Sequence, residues 1–148
     1  MMYNEMTLLS EHFRLGEFTR SATAERLGIG NCPDSTQVNN LRNLCTEILE
    51  PLRRRFGKIV INSGFRSPAL NEAVHGVGNS SHLYGEAADI YLPDEDTGRA
   101  YYRFIVEKCN YDQLLFEYNR RGQMWLHVSC RMEIARNRHM AFPNYRVR

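Results

Sequence analysis

The sequence lacks the cysteine pairs, the long apolar run and the one-sided charge that would assign it to several common classes of protein. Its four cysteines stand 13, 64 and 21 residues apart, so none forms a CxxC pair and a zinc ribbon or zinc finger is excluded. No apolar stretch approaches the ~20 residues of a membrane-spanning helix. The formal net charge is only +2, which gives no argument for a surface that binds nucleic acid.

The first residues, MMYNEMTLLSEHF, also lack a basic segment followed by an apolar one. We therefore expect no secretory signal peptide, synthesis in the cytoplasm, and free buried cysteine thiols rather than disulfides. A length of 148 residues predicts a single domain over 1–148, because that length suffices for one hydrophobic core.

Helical and strand-like patterns follow one another along the chain. Apolar residues recur at three- and four-residue steps through 34–56, which predicts the longest helix, and Pro51 predicts a kink or a break in it near Glu50. Other helices are predicted at 21–28, 67–76 and 94–110, and strands at 58–64, 86–92 and within 112–130. This order predicts an α+β fold: a small, mainly antiparallel sheet with helices packed on one side.

The stretch DQLLFEYNRRGQMWLHVSC is typical of a β-hairpin. Gly122 fits the left-handed position of a three-residue loop, and this loop fixes the register of the two strands. Because side chains alternate between the faces of a sheet, that register places Glu117, Trp125 and His127 on one face. Gln113 lies further along the same face.

The end of the chain, residues 131–148, is polar and basic and has no strong periodicity. It is compatible with a docked tail and with a flexible one, and the sequence does not choose between them. No internal repeat or linker divides the chain, so the tail would belong to the same single domain.

Three side chains have the chemistry of a metal site. His82 and Asp89 stand seven residues apart around Gly85, and His127 lies in an apolar strand. Two imidazoles and a carboxylate, with one position left for water, are typical of catalytic zinc, whereas structural zinc takes four ligands and usually thiolates. Spacing alone favours structural roles, in which His82 caps a loop, Asp89 caps a turn and His127 is an ordinary hydrogen-bonded strand histidine. A structural zinc held by cysteines is the least favoured alternative.

Longer motifs around these residues resemble the M15 zinc peptidases. SSHLYGEAAD at 80–89 is similar to the SxHxxGxAxD motif of that family, and WLHVS at 125–129 is similar to the motif that supplies its last zinc ligand. SGFRSPALN at 63–71 resembles the segment with a substrate-binding arginine. LGEFTRSATAERLGI and DQLLFE resemble the branch found in phage lysins and bacterial genomes, so the resemblance spans about residues 13–130.

The resemblance implies a fold of the D,D-peptidase and hedgehog type, with one Zn²⁺ held by His82, Asp89 and His127 at one edge of the sheet, in an open groove. It also implies hydrolysis of peptide bonds in the stem peptides of bacterial peptidoglycan, either as a D-Ala-D-Ala carboxypeptidase or as an endopeptidase. Arg66 would contact substrate oxygens, a role that suits a guanidinium able to form two parallel hydrogen bonds.

Three further residues are candidate substrate contacts. Ser80, Gln113 and Trp125 are placed near the metal by the motif and by the hairpin register. Each also has a structural alternative: a cap for the loop, a hydrogen bond within the sheet, and packing of the indole ring, respectively.

The sequence departs from the family pattern at one position. In much of the family the catalytic acid stands three residues before the last histidine ligand, and that position here is Met124, which cannot transfer a proton. Glu117 is the candidate general base in its place, because the hairpin directs it to the metal's side of the sheet. The alternative is a catalytically inactive, zinc-containing module that binds peptidoglycan or serves as a phage structural component.

We therefore expect a monomeric zinc metallopeptidase whose partners are peptidoglycan stem peptides, with no nucleic acid and no membrane span. Without a secretory signal it would reach the cell wall or periplasm by release from the cell, as a phage lysin does. Otherwise it would remain in the cytoplasm.

Overall fold

A five-stranded sheet organises the chain in the computed structural model, which describes residues 3–147. In the sheet the strands lie in the order β1-β2-β4-β3-β5. Their bounds are Ile61–Ser63 (β1), Ala87–Tyr91 (β2), Gln113–Tyr118 (β3), Met124–Ser129 (β4) and Met140–Arg146 (β5). All neighbouring pairs are antiparallel except β3 and β5, which run parallel. The predicted α+β class with a mainly antiparallel sheet is confirmed.

Alternate residues along the strands give the sheet two unlike faces. The core face carries buried apolar side chains: Ala88, Ile90, Leu114, Phe116, Leu126 and Val128. The open face carries polar and aromatic side chains, among them Asp89, Tyr91, Gln113, Glu117, Trp125 and His127. On the open face Tyr91 remains 48% exposed, whereas its neighbour Ile90 is fully buried.

The helices lie beside the sheet, and the longer ones cover its core face. Their bounds are Gly16–Thr19 (α1), Ala22–Leu27 (α2), Ser35–Leu44 (α3), Glu50–Phe56 (α4), Pro68–Ala73 (α5) and Glu95–Lys108 (α6). The two long helical segments, α3 to α4 and α6, bury their apolar stripes in one cluster with the core face, through residues such as Leu41, Leu52 and Ile105. The predicted packing of helices on one side is confirmed.

Local capping explains where several helices begin. The Ser21 side chain accepts a hydrogen bond from the Ala24 amide, and Asp34 forms a reciprocal capping box with Gln37. Ser67 caps α5, which has Pro68 at its first position. These caps satisfy backbone donors that have no partner inside the helix.

A π-helical turn, Cys45–Leu49, joins α3 to α4. Pro51 stands in the first turn of α4, where its missing N–H costs least. The amide of Glu50 donates to the Cys45 carbonyl oxygen, five residues back. The helical segment therefore continues through Glu50 without a break, and the π-helical turn is the irregularity that precedes Pro51.

The end of the chain is docked. Residues 140–146 form β5 beside β3, and Arg138 donates to the buried carboxylate of Asp112 through Nε (3.0 Å) and Nη2 (2.8 Å). Of the two alternatives left open by the sequence, docked or flexible, the structure shows the docked one up to residue 147.

The four cysteines are free, as expected, but Cys32 is exposed whereas the other three are buried. Burial raises the pKa of the Cys109 and Cys130 thiols to about 11, so both are protonated at neutral pH. Within residues 3–147, no helix combines the length and apolar character needed to cross a membrane.

Candidate metal centre

His82 is held by a short 3₁₀ turn, Ser81–Tyr84. Gly85 ends the turn with φ +74°, a backbone conformation that favours glycine. A Cβ at this position would also lie 2.5 Å from the Gln37 carbonyl oxygen, which is a second reason for glycine. The His82 Nδ1 atom lies 2.6 Å from the Gly64 carbonyl oxygen. A carbonyl can only accept, so the imidazole carries its proton on Nδ1 and presents the Nε2 lone pair.

Asp89 and His127 come together through strand pairing. They are direct partners across β2 and β4, with both side chains on the open face. Asp89 Oδ1 lies 3.0 Å from His127 Nδ1 and 3.3 Å from His82 Nε2. The ligand-type atoms of the three residues all lie within 4.8 Å of one another. We call these three residues the triad.

The triad fits a tetrahedral zinc ion. Two ligand atoms about 2.05 Å from zinc at the tetrahedral angle are about 3.3 Å apart, close to both measured separations. The histidines and the aspartate are borderline and hard ligands of the kind zinc takes in catalytic sites. The Gly64 carbonyl supplies the outer hydrogen bond that orients a ligating histidine. The cysteines take no part in this cluster, so a thiolate site gains no support within residues 3–147.

The pKa shifts of Asp89 and His82 also suit a bound cation. Burial alone would raise the pKa of Asp89, but the charges and hydrogen bonds of His82 and His127 hold it far below its usual range. Burial lowers the pKa of His82, which favours the neutral form of the ring that can ligate a metal. Burial would also lower the pKa of His127, but its hydrogen bond to Asp89 raises it.

The triad lies over the middle of the sheet. Asp89 is on β2 and His127 on β4, both of which have a strand on each side. The expectation of a metal at one edge is therefore wrong. The reason is the order of the strands. β1 pairs with the outer side of β2 and places Ser63 opposite Asp89, so β2 is not an edge strand.

Glu117 lies on the same open face, as the hairpin register predicts. It pairs with Trp125 across β3 and β4, next to the pair of Leu115 and His127. Trp125 Nε1 donates to Glu117 Oε1 over 3.1 Å. Burial raises the pKa of the Glu117 carboxyl, the nearby Asp89 carboxylate adds to this, and His127 and Trp125 oppose it.

Met124 faces the other way. It pairs with Tyr118, one step along from the pair of Glu117 and Trp125, and its side chain packs against the core cluster. Side chains along a strand alternate between the two faces, so residues 124 and 127, three positions apart, point to opposite faces. An acid at 124 would therefore lie on the face opposite His127. The absence of an acid at this position therefore says nothing against proton transfer on the open face.

Arg66 reaches the triad from the loop after β1. Its Nη2 lies 3.5 Å from Asp89 Oδ2, its Nε donates to Ser63 Oγ over 3.3 Å, and its Nη1 donates to Asn71 Oδ1 over 3.2 Å. A guanidinium has five N–H donors, so two remain for another ligand. Asn71, which is 4% exposed, also donates to the Val77 carbonyl oxygen. Sequence reasoning missed this anchor, although Asn71 lies in the same motif as Arg66.

The other predicted substrate contacts, Ser80, Gln113 and Trp125, either line a cavity beside the triad or support a neighbouring side chain. Ser80 Oγ accepts from the His82 amide, so it caps the turn, and it also lines a cavity beside the triad. Gln113 lines the same cavity of about 420 Å³, to which His127 belongs. Trp125 is partly buried and positions Glu117. The structure thus brings every predicted site residue to the open face or its border.

Two comparisons with known proteins bear on this arrangement. Residues 11–129 match the family model described as Peptidase M15. A stretch of 44 residues is 46% identical to the zinc D-Ala-D-Ala carboxypeptidase of Streptomyces albus G, and it covers 28% of this chain and 17% of that protein. The chain therefore matches much less than two thirds of the length of that relative.

Proposed function

The chain belongs to the Peptidase M15 family, and from this premise we propose that it is a zinc-dependent peptidase of peptidoglycan stem peptides. The observation that carries the proposal is the triad beside Glu117 on the open face, with separations that fit one zinc ion. The named activity of the Streptomyces relative supports a substrate of this class.

The triad would hold the zinc ion through His82 Nε2, Asp89 and His127 Nδ1, leaving a position for water or substrate. Bound there, zinc supplies Lewis-acid polarisation of a carbonyl and lowers the pKa of a water molecule to about 7. The remaining chemistry belongs to the chain's own side chains.

Glu117 is the proposed general base and acid. Its Oε1 is held by Trp125, and within residues 3–147 no hydrogen bond engages its Oε2, which is free to face the attacking water. The carboxylate takes a proton from that water and returns it to the leaving amine. A raised pKa favours both steps, because it brings the base closer to neutral pH.

Arg66 is the proposed contact for substrate oxygens. Its two uncommitted N–H donors can bind the carbonyl oxygen on which negative charge develops, or a nearby carboxylate. Asn71 and Ser63 fix the plane of the guanidinium, so little side-chain entropy is lost on binding. Ser80 and Gln113 would line the path of the peptide on the other side of His127.

The test combines zinc content with release of amines from purified peptidoglycan. We expect the wild type to bind one zinc and to release amines. Glu117→Gln should keep its zinc and lose ~10²–10⁴-fold in rate, as expected for loss of general acid–base catalysis. His127→Ala should lose both zinc and activity, by at least ~100-fold.

Glu107→Gln is the matched control, since it makes the same chemical change at an exposed position of α6. It should behave as the wild type. Zinc-loaded wild type that releases no amine from any peptidoglycan would overturn the proposal in favour of a binding module.

A further inference from the structure

Two cavities lie near the triad. The first, of about 420 Å³, opens beside His127 and runs along Gln113; we call it the β3 cavity. The second, of about 270 Å³, lies beyond Ser63, the partner of Asp89 on β1, and includes Arg66; we call it the β1 cavity. Ser63 and Arg66 connect the second cavity to the triad, because Ser63 pairs with Asp89 and Arg66 Nη2 lies 3.5 Å from Asp89 Oδ2.

The charges that line the β3 cavity compensate one another. Arg131 and Arg138 are its cations, and both lie close to the buried carboxylate of Asp112: Oδ2 is 3.3 Å from Arg131 Nε and 2.8 Å from Arg138 Nη2. Glu86 adds a second carboxyl group to the same wall. Two arginines thus face two acids, and this cavity offers little attraction to a free anion.

The charges of the β1 cavity do not balance in this way. Arg20 and Arg66 both line it, and none of its lining residues is acidic. Arg66 shares Asp89 with two histidines, whereas the ion pairs found within residues 3–147 do not include Arg20. Arg20 is exposed and also lines a neighbouring cavity that includes Glu5 and Glu25, so its guanidinium can reach the β1 cavity, which Arg66 already lines.

The rest of the β1 cavity is partly apolar. Its apolar lining residues are Ala22, Phe65, Leu70 and Val74. A cavity of this size, with an apolar part and two guanidinium groups, is complementary to a small apolar group that carries a carboxylate.

We propose that Arg20 is a specificity-determining residue, which binds a free substrate carboxylate together with Arg66 in the β1 cavity. The residue that carries this carboxylate is small, as a terminal D-alanine is. This inference rests on the proposed function and narrows it: the bond cleaved lies next to a free chain end. Arg20 contacts the carboxylate and takes no part in proton transfer.

The experiment uses the zinc-loaded protein and two matched peptides that end in D-Ala-D-Ala, one with a free carboxylate and the other with a carboxamide. The wild type should prefer the free carboxylate in kcat/KM by ~10-fold to ~100-fold, the range of a hydrogen bond to a charged group. Arg20→Gln should raise KM for the carboxylate peptide by ~10-fold with kcat nearly unchanged, because the contact is the same in ground and transition states. Its rate with the carboxamide should not change.

Arg26→Gln is the matched control, because Arg26 is an exposed arginine of α2, six residues after Arg20, and lines neither cavity. Equal cleavage of both peptides by the wild type would overturn the inference, and so would an undiminished preference in Arg20→Gln. Loss of the preference in Arg138→Gln instead would place the carboxylate in the β3 cavity and also overturn it.

The outcome for peptidoglycan separates this inference from the proposed function. Cleavage of peptidoglycan without cleavage of the carboxylate peptide would overturn the inference alone. Failure to cleave either material would overturn the proposed function and the inference with it.

Discussion

The two faces of the sheet are built from the same strands and differ in almost every physical property. On the core face of β4, Leu126 and Val128 are fully buried among apolar neighbours. On the open face of the same strand, Trp125 and His127 form hydrogen bonds to acidic partners. Neighbouring residues therefore have separate tasks, because a strand directs successive side chains to opposite sides. Residues that stabilise the core and residues of the candidate site therefore alternate along the same strand.

The largest predicted effect is the difference between Leu126→Ala, on the core face, and His127→Ala, on the open face. Leu126 is fully buried, so its truncation should lower the free energy of unfolding by about 2–5 kcal/mol while the folded protein keeps its zinc. His127→Ala should lose zinc but, in the zinc-free protein, lower the free energy of unfolding by less. Urea denaturation of the zinc-free proteins, with metal analysis of the folded ones, measures both quantities. Zinc loss in folded Leu126→Ala would contradict the separation.

A second prediction moves an acid from one face to the other. Met124→Glu, made in the Glu117→Gln background, should not restore activity, because residue 124 faces the core. It should also destabilise the fold by about 1–3 kcal/mol, the cost of placing a polar group among apolar ones. Amine release and thermal unfolding check the two parts. Recovery of activity would mean that residue 124 can reach the metal, and the two faces would not be separate there.

The smallest predicted effect lies within the open face. Trp125→Phe keeps an aromatic ring but removes the hydrogen bond to Glu117, which should reduce kcat/KM at neutral pH by less than ~10-fold. That hydrogen bond lowers the pKa of Glu117, so its loss raises the pKa. The base must be ionised, and the acidic limb of the pH profile should therefore move to higher pH. A limb that stays in place or moves to lower pH would show that Trp125 does not tune Glu117.

The hairpin and the triad could be predicted from the sequence because short-range chemistry decides them. Gly122 takes φ +77° in the three-residue turn and so sets the pairing of Glu117 with Trp125. Ser21 and Gly28 mark the two ends of α2 for similar reasons. His82 and Asp89 stand in one motif, and the strand register adds His127.

Other features depend on contacts that are distant in sequence. β5 contains Pro143 and shows no alternation, so its place is decided by pairing with β3 and by the contact of Arg138 with Asp112. The partners of Asp112 are arginines 19 and 26 residues later, which no local pattern indicates. Likewise, no local pattern shows that Arg20 and Arg66 share a cavity.

The ends of the sheet have a consequence for solubility. The edge strand β1 has three residues, and the opposite edge strand β5 contains Pro143, which has no N–H, at an irregularity in its pairing with β3. Long regular edges are templates on which another chain can add a strand, and short or proline-containing edges resist this. Both borders of this sheet are poor templates. The fold is therefore protected against edge-to-edge aggregation, even though its open face leaves tyrosine and phenylalanine rings in contact with solvent.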